Sequence, residues 1–248
     1  MKQAVLTEGA VAQKLKEFRL AGMAATLELR LKQAVEEDLS PLEVLGLLCE
    51  DEANVREENK RKRLYKQARL PYAKAMEDFE FAFQPSVKKA AMLDLATCGF
   101  VEKRANIFFI GQPGTGKTHL SIALALEALK FGKTVLFTTV WDMITMLQQS
   151  RADYSYQKRL QWYTKPDLLI LDELGYRSLD KTTGEDFYEI VSRRYERGSI
   201  IITTNRSIPE WDSVFIDKTL TTAILDRLIH HCSVIEMKGE SYRYKHRD

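Results

Sequence analysis

An eight-residue segment, Gly-Gln-Pro-Gly-Thr-Gly-Lys-Thr at positions 111 to 118, most restricts how this chain can fold. It follows an apolar run at residues 106 to 110, which predicts a strand, and it leads into a helical pattern at residues 118 to 131. Between a strand and a helix, such a loop lets backbone amides approach an anion at the positive end of the helix. The spacing alone recurs by chance in ordinary glycine-rich turns, so this context is what counts. The segment therefore predicts an α/β domain with a phosphate-binding loop.

Each residue of this loop is a candidate contact to the bound nucleotide. The candidates are Gly111, Gln112, Pro113, Gly114, Thr115, Gly116, Lys117 and Thr118, together with His119 directly after them. We expect Lys117 to reach the β and γ phosphates of a nucleoside triphosphate and Thr118 to bind Mg²⁺. ATP and Mg²⁺ are therefore the expected cofactors.

A second part of the same site is predicted further along the chain. Residues 168 to 171 are four consecutive apolar residues, typical of a strand buried on both faces, and Asp172 and Glu173 follow directly. Parallel sheets bind their ligands at the carboxyl ends of their strands. We expect Asp172 to hold Mg²⁺ and Glu173 to orient or deprotonate the attacking water. The alternative is that both acids are solvated charges at the end of a strand.

The next predicted strand, residues 199 to 204, is followed by Asn205. Its side chain should lie beside Asp172 and Glu173 at the same edge of the sheet. There it would hydrogen-bond the γ phosphate or the attacking water. An asparagine at a strand end is otherwise a common turn former.

Strand and helix patterns alternate through the rest of the chain. Besides those named above, we predict strands at residues 133 to 138 and 233 to 237, and helices at residues 141 to 149, 184 to 197 and 220 to 229. Repeated units of this kind predict a parallel sheet with helices on both faces.

Residues 1 to about 75 instead show apolar residues at helical spacing, such as Met23, Leu27 and Leu31. We therefore place a small all-helical domain at residues 1–77 and the α/β domain at residues 78–248.

A long helix is expected to begin at Pro41, because Ser40 to Glu43 has the pattern of a capping box and nothing interrupts the helix before Pro71. Its far end is strongly basic, with Lys60, Arg61, Lys62, Arg63, Lys66 and Arg69. These side chains are candidate contacts to DNA phosphates. The alternative is a solvated helix face that pairs with the acids upstream or in another subunit.

Bulk composition narrows the class of protein further. The 37 Lys and Arg nearly balance the 35 Asp and Glu, so any nucleic-acid contact must rest on local clusters. The three cysteines are far apart and form no Cys-x-x-Cys pair, which argues against a disulfide framework or a zinc site and favours a reducing cytosol. We see no secretory signal and no apolar run that would span a membrane, so we expect a cytoplasmic protein and no membrane partner.

With these features in place, the chain resembles the AAA+ ATPases, and among them the IstB branch of the DnaC/IstB family. The resemblance covers almost the whole chain. It rests on residues 68 to 71 and 78 to 81, the phosphate loop with His119 and Leu120, residues 168 to 176 and 194 to 199, Trp211, and residues 225 to 228 and 239 to 243. It implies an AAA+ fold after a helical N-terminal domain, with too few residues after Asn205 for a full helical lid.

Two further site residues follow from the resemblance alone. Arg227 matches the arginine finger that reaches ATP in a neighbouring subunit, and Arg243 matches the sensor arginine that contacts phosphate within its own subunit. A guanidinium suits both tasks because it stays charged and forks onto phosphate oxygens. Either arginine could instead form a surface ion pair.

The resemblance also implies a task. Members of this branch assist the transposase of a bacterial insertion sequence, so we expect a homo-oligomer that hydrolyses ATP, assembles on duplex DNA and recruits or stimulates its cognate transposase. A replicative helicase loader of the DnaC type is the alternative with the same ATPase core. A third possibility is a scaffold that binds ATP and DNA without useful hydrolysis, against which Glu173 argues.

Overall fold

The computed structural model describes residues 7 to 245, except for the side chain of Arg243. The chain divides into two compact units, residues 1–63 and 64–248. The domain boundary after residue 77 stays a prediction from the sequence. Within the described residues, no helix is both long and apolar enough to cross a membrane.

The first unit is helical, as predicted. It contains α1 (Glu8–Glu17), α2 (Ala21–Glu36) and most of α3 (Pro41–Ala68), whose last residues belong to the second unit. The capping box forms at the start of α3: the Glu43 amide donates to Ser40 Oγ at 3.3 Å, and the Ser40 amide donates to Glu43 Oε2 at 2.7 Å. The predicted start of this helix is confirmed.

A buried carboxylate ties α2 to α3. Oε2 of Glu52 accepts hydrogen bonds from the amides of Gly22 at 2.7 Å and Met23 at 3.3 Å, so it caps the first turn of α2. A Cβ atom at position 22 would lie 2.7 Å from Glu52 Cα, which explains the glycine. Glu52, in the middle of α3, therefore holds α2 against α3.

The second unit begins with the end of α3 and alternates strands with helices. Its strands are β1 (Asn106–Gly111), β2 (Val135–Thr139), β3 (Leu168–Leu174), β4 (Ser199–Thr204) and β5 (Cys232–Met237). Its further helices are α4 (Lys89–Ala96), α5 (Gly99–Glu102), α6 (Lys117–Lys130), α7 (Val140–Ala152), α8 (Tyr156–Thr164), α9 (Lys181–Arg194), α10 (Lys218–Ile229) and α11 (Tyr242–Lys245), with a 3-10 helix at Ile208–Ser213.

The five strands form one parallel sheet in the order β2-β3-β4-β1-β5. Apolar residues alternate between its two faces: Ile107 and Phe109 of β1 pack in the cluster that includes α6, and Phe108 packs in the cluster that includes α7 to α10. Because both faces are covered, the central strands β1, β3 and β4 are mostly apolar and buried, whereas the edge strand β5 is partly exposed. The predicted α/β architecture is confirmed.

Several predicted boundaries need correction. The helix predicted at residues 184 to 197 begins at Lys181 and ends at Arg194, because Asp180 caps it and accepts from the Thr183 amide at 2.9 Å. The strand predicted at residues 168 to 171 continues to Leu174, since Asp172 itself pairs with Thr139 of β2. Sequence periodicity also missed the short helices α4, α5 and α8.

Candidate nucleotide site

A cavity of about 220 Å³ opens at the carboxyl edge of the sheet in the second unit. The predicted loop forms one wall from Pro113 to His119, and Glu173 and Thr203 line the cavity as well. Its other lining residues are Tyr72, Lys74, Asp78, Phe79, Glu80, Phe83, Gln84, Tyr176 and Tyr242. The two halves of the predicted site therefore meet in one place.

The loop owes its shape to two glycines in left-handed backbone conformations, Gly114 with φ 82° and Gly116 with φ 97°. Residues with a side chain rarely adopt these angles. A Cβ at Gly116 would also lie 2.6 Å from Cε2 of Phe79. Helix α6 starts directly afterwards at Lys117, so its first amide groups, which have no partners within the helix, lie at the loop. This is the arrangement that helix N-termini use to bind phosphate.

Lys117 is almost completely buried, with 7% of its surface exposed. Its Nζ atom donates to the carbonyl oxygens of Gly111 at 2.8 Å and Gln112 at 2.9 Å. These bonds hold a positive charge at the wall of the cavity. The loop's own first two residues thus position the lysine that was predicted to reach the phosphates.

Asp172 lies in direct contact with Thr118. The Thr118 hydroxyl lies 3.0 Å from Oδ1 and 3.1 Å from Oδ2 of the carboxylate, and the Thr203 hydroxyl donates to Oδ1 as well. Burial raises the pKa of Asp172, against the opposing effects of the Thr203 and Thr118 hydrogen bonds and the Lys117 charge. Hydroxyl and carboxylate oxygens are ligands that Mg²⁺ prefers, so the pair predicted to bind the ion fits it chemically.

Glu173 occupies a left-handed conformation, with φ 65°. The pairing of β3 with β4 is irregular between Leu171 and Leu174, and there the Glu173 amide donates instead to Thr203 Oγ1 at 3.0 Å. The irregularity turns the Glu173 side chain to the surface, where it lines the cavity. Asp172, next to it, stays buried. Two adjacent acids are thereby given separate environments, as the two predicted tasks require.

Thr203 was missed by the sequence analysis. Its single hydroxyl group contacts both the Asp172 carboxylate and the Glu173 backbone, and the residue is buried with 1% exposed. The available signal was its position one residue before the end of a predicted strand that neighbours the acid pair.

Asn205 directly follows β4, and its Oδ1 atom is buried without a hydrogen-bond partner among the described residues. A Cβ at Gly175 would lie 3.3 Å from that atom. Asn205 thus lies beside the chain that follows Glu173, but it is not among the residues that line the cavity. Its contact with phosphate or water stays a prediction.

His119 faces the segment that precedes the α/β core. Its Nε2 atom lies 2.9 Å from the carbonyl oxygen of Ala75, and its ring meets that of Phe79 edge-on at 5.3 Å. Burial lowers the pKa of His119, which favours the neutral ring. A neutral imidazole that donates to Ala75 braces the wall formed by residues 72 to 84.

Two more supports of the loop were not foreseen. Gln84 is buried and donates from Nε2 to the Thr115 carbonyl at 3.3 Å, while its Oε1 accepts from Ser86 at 2.7 Å. Near the C-terminus, the Tyr242 amide donates to the Gly114 carbonyl at 3.0 Å. Segments distant in sequence therefore hold the loop from outside, a feature no local motif reveals.

The two predicted arginines are placed differently. Arg227 lies on α10, where Nη1 donates to the Ala223 carbonyl at 2.8 Å and the guanidinium lies 5.1 Å from the ring centre of Tyr188. It does not line the cavity of its own chain. Arg243 belongs by its backbone to α11, but its side chain lies outside the described part of the structure.

The six basic residues predicted to contact DNA are all exposed. Two of them have recorded partners: Lys62 pairs with Glu58 at 2.6 Å, and the Arg69 guanidinium lies 4.4 Å from the ring centre of Trp162. For Lys60, Arg61, Arg63 and Lys66, no ion pair is recorded among the described residues. Their contact with DNA stays a prediction.

Known sequences similar to this chain are described as ATP-binding proteins, which agrees with a nucleotide site at this cavity. The sequence profile of the family described as IstB-like ATP binding protein matches residues 13–248. The insertion sequence IS21 ATP-binding protein of Pseudomonas aeruginosa is 38% identical over 231 residues, which cover 93% of this chain and 87% of that protein. Its counterpart from insertion sequence IS5376 of Geobacillus stearothermophilus is 36% identical over 228 residues, 92% of this chain and 91% of the relative.

Solved structures show the same fold at lower identity. DnaI matches with a TM-score of 0.58 and 22% identity, over 72% of this chain and 93% of its own. DnaA from Aquifex aeolicus bound to AMPPCP matches with a TM-score of 0.56 and 24% identity, over 71% of this chain and 54% of its own. The DnaC helicase loader matches with a TM-score of 0.55 and 22% identity, over 71% and 99%. The second unit therefore has the AAA+ P-loop fold.

Proposed function

The chain belongs to the family of IstB-like ATP-binding proteins, and we propose that it is a Mg²⁺-dependent ATPase that assists an insertion-sequence transposase. In this proposal it oligomerises on duplex DNA in the bacterial cytoplasm, remodels the target and recruits or stimulates the transposase. The relatives at 36 to 38% identity carry insertion-sequence names, which favours this role over helicase loading.

The observation that carries the ATPase proposal is the convergence of Lys117, Thr118, Asp172 and Glu173. Thr118 contacts Asp172, while Lys117, Thr118 and Glu173 line one cavity at the carboxyl edge of the sheet. A scaffold that only binds nucleotide would need the loop but not an exposed carboxylate next to a buried one.

The site residues then have separate tasks. Lys117 and the amides at the start of α6 bind the phosphates, and Thr118 and Asp172 hold Mg²⁺, which when bound neutralises charge on the β and γ phosphates. Glu173 accepts a proton from the attacking water, or orients that water, at its carboxylate. Thr203 keeps both acids in place. The rate gain comes from positioning and charge stabilisation, as is usual for phosphoryl transfer.

The direct test is ATP hydrolysis by the purified full-length chain. We expect turnover with Mg²⁺, none after chelation with EDTA, and a loss of at least about a hundred-fold in Lys117→Ala. Full activity in EDTA, or in the lysine variant, would remove the cavity from the reaction.

Arg227 is proposed to complete the site of a neighbouring subunit. Its position on α10, away from the cavity of its own chain, is compatible with that task. Arg227→Ala should bind ATP normally and hydrolyse it slowly, because the guanidinium stabilises charge only in the transition state.

Mixing variants separates action in trans from action in cis. Lys117→Ala subunits keep Arg227, and Arg227→Ala subunits keep the phosphate loop, so random assembly should restore activity at about a quarter of the interfaces. Titration of one variant against the other would measure this rescue. If mixed oligomers form, as shown by a pull-down of differently tagged subunits, and stay inactive, Arg227 does not act between subunits.

Duplex DNA is proposed to contact the basic end of α3. Reversal of Lys60, Arg61 and Arg63 to glutamate should weaken DNA binding. The slope of log K against log salt concentration should become shallower by about 2 to 3, because fewer phosphate contacts release fewer counterions on binding. The matched control reverses Lys14, Lys16 and Lys32, three exposed lysines of the same unit, with the same change in net charge. Equal slopes in the two triple variants would place the DNA elsewhere.

A further inference from the structure

Two turns at the amino edge of the sheet bring together three potential metal ligands. One ring nitrogen from each of His230 and His231 and one carboxylate oxygen of Glu196 lie within 4.8 Å of one another, and all three residues are exposed. The two imidazole rings are adjacent, with centroids 4.0 Å apart. A single ion with ligand distances of about 2.0 to 2.2 Å can reach three atoms at this spacing with small side-chain rotations.

The backbone that carries these ligands is braced. Glu196 lies in the turn between α9 and β4, and the histidines lie between α10 and β5. Asn106, the first residue of β1, joins the two segments: its Nδ2 donates to the Leu228 carbonyl at 3.0 Å, and its Oδ1 accepts from the Ile200 amide at 2.9 Å. The Asn106 amide also donates to the His231 carbonyl at 2.7 Å. One residue thus fixes the distance between the turns.

A neighbouring hydroxyl group orients one of the ligands. Tyr195 Oη lies 2.9 Å from Nδ1 of His230. Histidines that bind metal commonly use one ring nitrogen for the ion while a second group hydrogen-bonds the other, which fixes the tautomer and the ring orientation. In the site inferred below, Tyr195 holds Nδ1 of His230, and Nε2 is then the nitrogen of that ring that binds the ion.

We propose that Glu196, His230 and His231 form a binding site for a divalent transition-metal ion of the Zn²⁺ class. Two imidazoles and one carboxylate select Zn²⁺, Ni²⁺ or Cu²⁺ over Mg²⁺, which prefers oxygen ligands. The site is separate from the cavity, which lies at the opposite edge of the sheet. His231, Glu196 and Arg227 line the same small depression of about 10 Å³, so an ion bound there sits beside the arginine proposed to act on a neighbouring subunit.

The test is Zn²⁺ binding to the full-length chain, freed of metal with EDTA and then desalted, in competition with a chromophoric chelator and without nucleotide. We expect one Zn²⁺ per chain at this site, unaffected by millimolar Mg²⁺. Affinity should fall at least about tenfold in His230→Ala/His231→Ala and in Glu196→Gln, since each change removes a ligand. Cys49→Ser, which removes an exposed thiol, is the control and should bind as the wild type does.

Co²⁺ gives an independent readout, because its visible absorption reports the ligands directly. The wild type should show a d–d band that is lost in the double histidine variant. Unchanged Zn²⁺ affinity in that variant, with native circular dichroism, would overturn the proposal. Unchanged affinity in Glu196→Gln would also overturn it, because a bare histidine pair is not the three-ligand site proposed.

Discussion

Two buried cations, one at each edge of the same sheet, are used in different ways. At the carboxyl edge, Lys117 donates to two carbonyl groups of its own loop and lines a cavity. At the amino edge, Arg194 is buried with 1% exposed, and its guanidinium donates to five backbone carbonyls. These belong to Tyr163, Thr164, Pro166, Asp167 and Ser199.

The difference shows which buried charge serves a ligand and which serves the fold. Arg194 joins the segments that enter β3 and β4, the strands that carry Asp172 and Thr203, and its planar fork matches several fixed carbonyls at once. A lysine is a compact point charge on a flexible stem, and at a cavity wall it can exchange carbonyl partners for phosphate oxygens. Burial alone does not distinguish the two roles, whereas the size of the neighbouring cavity does: it is about 220 Å³ beside Lys117 and about 10 Å³ beside Arg194.

The largest effect that would test this comparison is expected from Arg194→Met. The variant keeps an unbranched side chain but removes the donor of five hydrogen bonds from a buried position, so the free energy of unfolding should fall by about 3 to 5 kcal/mol. The melting temperature should fall by roughly 10 °C, as thermal denaturation would show.

Arg193→Met provides the matched control for this prediction. Arg193 is the preceding residue, and it pairs with Glu189 on the helix surface. Its loss should change stability by no more than about 0.5 kcal/mol. If both variants melt at the same temperature, the amino edge does not depend on its buried arginine.

The sequence predicted the carboxyl edge better than the amino edge for a physical reason. A phosphate loop needs glycines and a lysine at fixed spacing within one segment, and the acid pair follows an unmistakably apolar strand, so both signals are local. Arg194 entered the sequence analysis only through the family resemblance. Its partners are main-chain carbonyls of two other segments, and carbonyls carry no sequence signal.

The same limit applies within the site itself. Thr203, Gln84 and the backbone of Tyr242 act through contacts that depend on how strands align or how distant segments pack. The strands themselves were predictable because a sheet covered on both faces requires continuous apolar runs. The short helices α4, α5 and α8 were not, since four to nine residues hold too few turns to establish a period.

A smaller effect than that of Arg194→Met is expected from Thr203→Val at the carboxyl edge. This effect is on catalysis and not on stability, so it tests whether the buried groups at this edge serve the ligand. The substitution keeps the shape but removes the hydroxyl that binds both Asp172 and the Glu173 amide. We expect kcat for ATP to fall about 10- to 100-fold with little change in KM, because misplaced acids affect the transition state more than nucleotide binding.

Two further variants show whether Thr203 acts by positioning the two acids with its hydroxyl group or only by packing in the core. Thr203→Ser restores the hydroxyl and should recover most of kcat. Thr204→Val removes the neighbouring buried hydroxyl, which accepts from the Arg206 amide at 3.0 Å, and should leave kcat within about threefold of the wild type. A Thr203→Val enzyme with normal kcat would show that the irregular β3–β4 pairing holds the acids without this hydroxyl.

The smallest expected change in stability is that of Asp172→Asn. Burial raises the pKa of Asp172, so the folded chain binds this proton more tightly than the unfolded chain, and the ionised carboxylate weakens the fold at neutral pH. Its neutral counterpart should raise the free energy of unfolding by about 1 kcal/mol at pH 7 while Mg²⁺-dependent turnover is lost.

This gain in stability should shrink as the pH falls into the range where the wild-type carboxyl group is protonated in both the folded and the unfolded chain. Urea titrations at several pH values would show it. Asp212→Asn, an exposed acid of the same unit, should give no such gain. If the Asp172→Asn variant is instead less stable at neutral pH, the hydrogen bonds from Thr118 and Thr203 outweigh the cost of burying the charge. The carboxyl edge would then resemble the amino edge, because its buried charge would stabilise the fold.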